Sequence, residues 1–373
     1  MIRVGITGKN GFIGLHLHNC LGLEKGIERV SFSREYFDAP DKLRRFVRSC
    51  DVIVHLAAVN RHENMQVLYN TNVELVKKLV EAMEAEEITP HVIFSSSSQE
   101  EQDNLYGSSK KEGRRIFEDW AARSGGKFTG VVIPNVFGPF GRPNYNSVVA
   151  TFCHCLTHGE QPEIYVDGYL KLIYVTDLCK EIFRVIQSKI IETPYYVSHC
   201  TEKKVSEILA LLSTYKESYY EKQIVPEIRN HFEQCLFNTF FCYINHSSFF
   251  PRNLTPHADN RGYFMEVLKL DNTGGQVSFS TTASGVTRGN HYHTRKFERF
   301  AVIKGKALIQ LRRIGSREVL NFEIDAHQCP GFVDTPIWYT HNIKNIGDED
   351  VYTLFWINEF YDPHDPDTFF EEV

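Results

Sequence analysis

Two groups of residues in this sequence have the types and spacing of reactive centres. The first is Tyr106-Gly107-Ser108-Ser109-Lys110, preceded by the serine run Ser95-Ser96-Ser97-Ser98. On a helix, a tyrosine and a lysine four residues apart share one face. The ammonium then favours phenolate character in a phenol whose ordinary pKa of about 10 is too high for easy proton exchange. A serine at a strand end can bind a substrate carbonyl or hydroxyl. The second group is His291 and His293, followed by Glu298 and, further on, His341. Histidines two apart on a strand point to the same side. Glu298 can return from the adjoining turn, and His341 comes from another strand. Three imidazoles and one carboxylate suit Zn²⁺, and would also suit Fe²⁺, Mn²⁺ or Ni²⁺. His341 alone would read as a structural histidine; with the other three it reads as a ligand.

The elements that must position the first group form an alternating pattern. An opening strand, Met1-Ile2-Arg3-Val4-Gly5-Ile6-Thr7, runs into Gly8-Lys9-Asn10-Gly11-Phe12-Ile13-Gly14 and then a helix. Glycines there let the backbone turn tightly and approach a pyrophosphate at the helix N-terminus. Apolar runs at 52–56, 91–94 and 129–133 alternate with helical stretches at 72–86 and 109–122. That alternation predicts βαβ units and a parallel sheet buried on both faces. After the second strand, Ser33 and Arg34 occur with no acid before Glu35. An arginine at that point accepts a 2′-phosphate, so NADP(H) is the expected dinucleotide.

Residues 205–215 look helical, and Phe237-Asn238-Thr239-Phe240-Phe241-Cys242-Tyr243 is apolar and aromatic. This region reads as the end of the first domain plus a connection. The turn-rich stretch 247–253 then divides the chain into domains 1–248 and 249–373. Beyond it, short β-like segments at 263–270, 276–280, 300–303, 307–311 and 351–357 predict an all-β sandwich or barrel around the second group.

The bulk properties exclude several classes. A net charge of −6 over 373 residues gives no basic footprint for nucleic acid. Nine scattered cysteines without a C-x-x-C pair suit reduced thiols. No apolar run approaches the roughly 18 residues of a membrane span, and the opening strand is no signal peptide, so a cytoplasmic location is expected. His16 and His18 diverge on a helix, and His154/His158 lack the intervening glutamate of a zinc protease. Cys153 and Cys155 have no partner pair at zinc-finger spacing and are assigned no role.

Residues 1 to about 240 resemble an extended short-chain dehydrogenase/reductase of the nucleotide-sugar type. The matching residues are the Gly8 loop, His55-Leu56-Ala57-Ala58, Asn72 in Thr71-Asn72-Val73, Ser97, Tyr106 and Lys110. Pro134-Asn135-Val136-Phe137-Gly138-Pro139 and Tyr174-Val175-Thr176-Asp177 match as well. The resemblance implies a Rossmann, doubly wound α/β domain. It places the dinucleotide against Gly8, Asn10, Gly11, Phe12, Ile13, Gly14, Ser33, Arg34, Leu56, Ala57, Ala58 and Asn72. It makes Tyr106 the general acid/base and has Lys110 orient the nicotinamide ribose. Ser97 would help hold the reacting oxygen, with Ser96 a near alternative. Asn135 and the Asn144-Tyr145-Asn146 segment would lie toward the nucleotide sugar.

The second group resembles the two cupin motifs. The first matches fully, as G-x5-H-x-H-x4-E-x6-G from Gly285 to Gly305; the second, Pro336 to Asn345, has Trp338 in place of its glycine. Upstream, Asp259, Arg261, Gly262, Phe264 and Glu266 form a D-x-R-G-x-F-x-E pattern similar to the entry strand of deoxysugar 3,5-epimerases. The order of the halves resembles bifunctional capsular polysaccharide enzymes that make UDP-N-acetyl-L-fucosamine precursors. Pro143-Asn144-Tyr145-Asn146-Ser147-Val148 and Asp365-Pro366-Asp367-Thr368-Phe369-Phe370 are further points of likeness. That family implies a homodimer, zinc in the cupin barrel and NADPH in the reductase. Its chemistry is C3 epimerisation of a UDP-4-keto-6-deoxy-N-acetylhexosamine, with Arg288 or the metal steadying the enolate. Reduction of the C4 ketone to UDP-2-acetamido-2,6-dideoxy-L-talose follows. Two rivals stay open: a single-function 4-keto-sugar reductase with a structural dimerisation cupin, and a non-catalytic nucleotide-sensing protein.

Overall fold

The computed structural model describes residues 1–260 and 262–373. The chain divides into two compact units, Met1–Thr151 with Ile164–Glu207, and Phe152–Glu163 with Ile208–Val373.

In the first unit a six-stranded sheet is ordered β2 (Ile27–Val30), β1 (Ile2–Thr7), β3 (Val52–His55), β4 (His91–Ser97), β5 (Phe128–Ile133) and Tyr195–Tyr196. Every pairing in it is parallel. Alternate strand residues face opposite sides, and the two cores follow that period. Val4, Ile6, Val52, Val54 and Ile93 pack with Leu17 and Leu21 of helix α1 (Phe12–Leu23) and with Leu178 and Ile182 of the Val175–Ser188 helix. Ile53, Val92 and Phe94 face the other way. There they meet Phe46 of α2 (Pro40–Arg48), Val76 and Leu79 of α3 (Met65–Ala85), and Phe117 and Trp120 of α4 (Leu105–Ser124). Successive strands after β1 are laid down on opposite sides of it. The crevice at the carboxyl ends of β1 and β3 is therefore a topological switch point, where doubly wound sheets bind ligands.

The second unit carries two antiparallel five-stranded sheets. One runs Arg252–Asn253, Gly331–Thr335, Glu298–Lys304, Val351–Ile357, Gln276–Thr282; the other runs Val319–Asp325, Lys306–Arg313, Tyr339–Asn345, Thr287–Tyr292, Phe369–Phe370. Among the described residues no ladder joins the two five-stranded sheets, and the C-terminal region is all-β as expected. In the Lys306–Arg313 strand Ala307, Ile309 and Leu311 alternate inward, opposite Asn345, Ile343 and His341. Arg261, within the epimerase-like pattern, lies outside the described residues.

The boundary expected at 248/249 falls inside the second unit, which takes in everything from Ile208. The stretch read as a connection contains the His231–Phe241 helix, capped by Asn230 Oδ1 accepting from the Glu233 N–H at 3.0 Å. Phe237 and Phe241 of that helix pack on Phe297 with ring centroids 5.6 and 4.9 Å away. Asn238 Nδ2 donates to the Arg295 carbonyl at 3.1 Å. The helix thus buries its aromatic face against the turn that precedes Glu298. Beneath that sheet, Arg299 is bidentate to Asp334 at 2.8 Å, and the Tyr219 hydroxyl donates to the same carboxylate at 2.6 Å.

Candidate functional site

A cavity of about 740 Å³ opens at the switch point of the first unit. Its glycine-rich wall is built for close approach. Gly8 has φ +77°, and a Cβ there would come within 2.7 Å of the Ala57 nitrogen. A Cβ on Gly14 would meet the Gly8 carbonyl oxygen at 2.2 Å. No side chain fits at either position, and the turn presents its backbone at the start of α1. Asn10, Gly11, Phe12, Ile13, Leu56, Ala57, Ala58 and Arg34 line the same cavity. Ser33 is not in the lining; it sits at the N-cap position of the short Arg34–Asp38 turn of helix. Asn72 stands behind the wall, accepting from the Val59 N–H at 2.7 Å and donating to Val59 O and Ser109 Oγ.

Ser97, Tyr106 and Lys110 meet in this cavity. Tyr106 and Lys110 occupy the first turns of α4, which starts where Asn104 Oδ1 accepts from the Gly107 N–H at 2.7 Å. Lys110 is buried; its Nζ donates to the Ser95 carbonyl at 2.9 Å and lies 5.8 Å from the Tyr106 ring centroid. The geometry separates the two serine candidates. Ser96 is hydrogen-bonded to Glu100, which Arg114 clasps at 2.9 Å, whereas Ser97 engages the Tyr106 hydroxyl.

The ionisation of this group differs from the sequence expectation. Burial, reinforced by Tyr145 and opposed by the Ser97 hydrogen bond, pushes Tyr106 up to about 12. Burial pushes Lys110 down to about 8, with Glu100 working against it. Tyr106 is therefore held as a phenol, chiefly by its burial, while the neighbouring ammonium donates to Ser95 O. That suits a proton donor. Asn135 lines the cavity, as does Asn146, but Asn144 and Tyr145 do not. Their carbonyls are tied to Arg61 at 3.3 and 3.2 Å, and the segment offers its next residue inward. The motif had marked the segment; the direction in which its residues point required the fold.

In the second unit His291, His293, Glu298 and His341 bring one ligand atom each within 4.8 Å of one another. They come from both facing sheets: His291 from Thr287–Tyr292, His341 from Tyr339–Asn345, Glu298 from Glu298–Lys304. His293 lies just past the end of its strand. Glu298 Oε2 is 3.1 Å from His293 Nε2 and 3.2 Å from His341 Nε2, yet none of these three buried atoms is aligned as a hydrogen-bond partner. Buried polar atoms are seldom left this way. Lone pairs converging on one point are what a shared cation requires, so the residues fit a divalent metal ion. Burial, with the neighbouring His341 and His293, pushes His291 down to about 4, leaving the neutral imidazole that ligates. Burial would raise Glu298, but His293 and His341 outweigh it and hold the carboxyl well below its usual range. Arg288 stands apart from the four, on the same strand as His291, with its guanidinium donating to the Thr281 carbonyl at 3.3 Å.

Trp338, at the motif's glycine position, keeps a left-handed φ of +61°. Its backbone N–H donates to the His293 carbonyl at 2.8 Å and its ring stacks on Tyr292 at 5.7 Å. Such a φ strains a bulky residue by about 1–3 kcal/mol, while deleting a buried tryptophan side chain costs about 3–5 kcal/mol. Packing wins, so Trp338→Gly is expected to destabilise this unit by about 2 kcal/mol. The urea unfolding midpoint, followed by circular dichroism, measures it.

Comparison with known proteins agrees with this division of the chain. Residues 4–195 match the NAD dependent epimerase/dehydratase family, and residues 257–369 match the polysaccharide biosynthesis C-terminal domain. The chain is 33% identical, over 99% of its length and 98% of the relative's, to UDP-2-acetamido-2,6-beta-L-arabino-hexul-4-ose reductase of Pseudomonas aeruginosa. It superposes on the capsular polysaccharide assembling protein CapF of Staphylococcus aureus with a TM-score of 0.62, 34% identity and full coverage of both chains. RMD from Pseudomonas aeruginosa, solved with NADPH, shares the fold over 58% of this chain and 83% of its own, at 20% identity and a TM-score of 0.53. Full-length likeness and both family matches coincide in one chain, which thus belongs to the NAD-dependent epimerase/dehydratase family and, within it, to the CapF-like proteins that add a polysaccharide biosynthesis C-terminal domain.

Proposed function

We propose that this chain is a bifunctional nucleotide-sugar enzyme of capsule-type polysaccharide synthesis. Its C-terminal unit epimerises C3 of a UDP-4-keto-6-deoxy-N-acetylhexosamine, and its N-terminal unit reduces the C4 ketone to UDP-2-acetamido-2,6-dideoxy-L-talose. The observation that carries the reading is the meeting of Ser97, Tyr106 and Lys110 in the cavity walled by the Gly8 loop. The relative's name specifies reduction of a 4-keto nucleotide sugar, which supports the substrate class.

In the reduction, NADPH held by the Gly8 loop would supply the hydride for C4. Ser97 and Tyr106 hold the C4 oxygen, and Tyr106, kept protonated by burial, gives it a proton. Lys110 orients the nicotinamide ribose, and Asn135 with Asn146 of the 144–146 segment would meet the sugar. Arg34, exposed at the cavity rim, accepts the 2′-phosphate. Arg34→Ala is expected to raise the KM for NADPH about tenfold or more and leave NADH unchanged, since a charge-assisted bond contributes about 1.5–3 kcal/mol. Steady-state kinetics with both dinucleotides decides this. In the epimerisation, the 4-keto group acidifies the C3 proton, and Arg288 or the metal would steady the developing enolate. A divalent cation, Zn²⁺ by preference, would supply Lewis acidity beside the ketone from His291, His293, Glu298 and His341. The working form is proposed to be a homodimer.

The test uses the full chain, the UDP-4-keto sugar and deuterated water. Deuterium entering C3 before NADPH is added, then nicotinamide oxidation on its addition, is the expected result. The relative's name mentions reduction alone, which favours a second reading: a reductase carrying a structural C-terminal unit. Oxidation without exchange would establish that reading, and silence in both assays would overturn the substrate class.

A further inference from the structure

The ends of the loop between His293 and Glu298 are tied to residues beside neighbouring strands, the His293 carbonyl by the Trp338 N–H and the Phe297 N–H by Asn358 Oδ1. Between those ends, the three consecutive N–H groups of residues 294–296 are gathered by one carboxylate from the far C-terminal segment. Asp367, 3% exposed, accepts from the Thr294, Arg295 and Lys296 N–H groups, each at 3.0 Å, and from the Thr294 hydroxyl at 2.6 Å. The main-chain carbonyl of the same residue receives a hydrogen bond from His293 Nδ1. A carbonyl can only accept, so Nδ1 carries the proton and Nε2 keeps its lone pair, aimed at Glu298 and His341. Neighbouring residues fasten the segment down. Lys296 Nζ donates to the Pro366 carbonyl at 2.6 Å, and Phe369–Phe370 pairs with Tyr292 and His291. The Glu371 N–H donates to the Asn290 carbonyl at 3.0 Å. One strap therefore touches the strand bearing His291, the ring of His293 and the turn that delivers Glu298.

We infer that Asp367 is a positioning residue of the metal centre: it fixes the tautomer of His293 and the path of residues 294–296, and so sets the spacing of three ligands at once. A buried carboxylate is costly unless its oxygens are satisfied, and here it receives four donors from a single turn. Outer partners that orient ligating histidines weaken metal binding when removed, by about 10- to 100-fold. A sequence pattern confined to the ligands does not include Asp367, which lies more than 65 residues beyond Glu298.

This inference rests on the metal reading of the four ligands, and the experiment separates the two. The full-length protein is stripped with a chelator, then titrated with Co²⁺ by visible absorption and with Zn²⁺ against a chromophoric chelator. The unaltered chain is expected to bind about one ion. Asp367→Asn keeps the shape but turns an NH₂ group toward two N–H donors. It is expected to weaken Zn²⁺ binding about 10- to 100-fold and to shift the Co²⁺ bands. Thr294→Val removes a single donor and tests the same clamp in a chain that folds even if Asp367→Asn does not; a smaller weakening of the same sign is expected. Equal Zn²⁺ affinity and identical Co²⁺ bands in the variants and the unaltered chain would overturn the clamp while leaving the metal reading standing. An unaltered chain that binds neither ion would overturn the metal reading and the clamp with it.

Discussion

Tyr106→Phe is expected to lower kcat for reduction of the 4-keto sugar by about 10²–10⁴-fold, the range typical of a lost general acid, with NADPH affinity unchanged. The separation follows from geometry. The phenolic oxygen engages Ser97 inside the cavity, whereas the glycine wall at Gly8 and Gly14 and the rim residue Arg34 are formed by other elements. The pH profile adds a second check. Tyr106, raised to about 12 by burial, stays protonated throughout the assay range and contributes no limb. Lys110, lowered to about 8 by burial, is charged below that pH and neutral above it. If its ammonium orients the ribose, activity falls as pH rises through about 8. The residual activity of Tyr106→Phe keeps that fall, while Lys110→Met shows low activity with no fall. Stopped-flow absorbance at the nicotinamide band and NADPH fluorescence titration give both quantities. A phenylalanine variant with near-normal kcat would remove Tyr106 from the chemistry.

Much of this site was legible in the sequence because it depends on local spacing. A glycine loop directly after a strand, and a tyrosine and lysine one turn apart, fix their own geometry, and the fold only had to bring Ser97 alongside. The clustering of His291, His293, Glu298 and His341 was legible for the same reason, apart from the contacts that support it. What could not be read depends on contacts distant in sequence. The His231–Phe241 helix looked like a connection because its apolar residues lack a visible partner until Phe297 is folded against it. The compact second unit accordingly begins at Ile208, ahead of the turn-rich stretch at 247–253. Within the Asn144-Tyr145-Asn146 segment, only Asn146 lines the cavity, and nothing local says that Arg61 ties the carbonyls of the other two. The phenolate expectation for Tyr106 assumed an ammonium aimed at the ring oxygen; the partner it took, Ser95 O, lies 15 residues upstream. Where glycine was expected, Trp338 shows the backbone keeping its path and the side chain adapting to it.

The second large effect is expected at the other centre. His291→Ala/His293→Ala should abolish stoichiometric metal binding and, with it, deuterium entry at C3. Four-ligand sites of this kind are worth about 10–16 kcal/mol. Losing two of four ligands then costs on the order of 5 kcal/mol, or more than about 10³-fold in affinity. Stability should move as well. An ion bound only by the folded unit, at about 1,000 times its Kd, adds about 4 kcal/mol. A chelator should therefore lower the melting temperature of the unaltered chain and leave that of the double variant unchanged. Reduction is the discriminating control. Supplied with a ketone already inverted at C3, the double variant should oxidise NADPH at the normal rate, because the histidine pair belongs to the second unit and Tyr106 to the first. Metal analysis, calorimetry with and without chelator, and both assays on one preparation make the comparison. Loss of metal with full retention of C3 exchange would make the ion structural and require the C3 proton to be removed by residues outside this cluster. Loss of both activities together would mean that the two units do not work as separable catalysts.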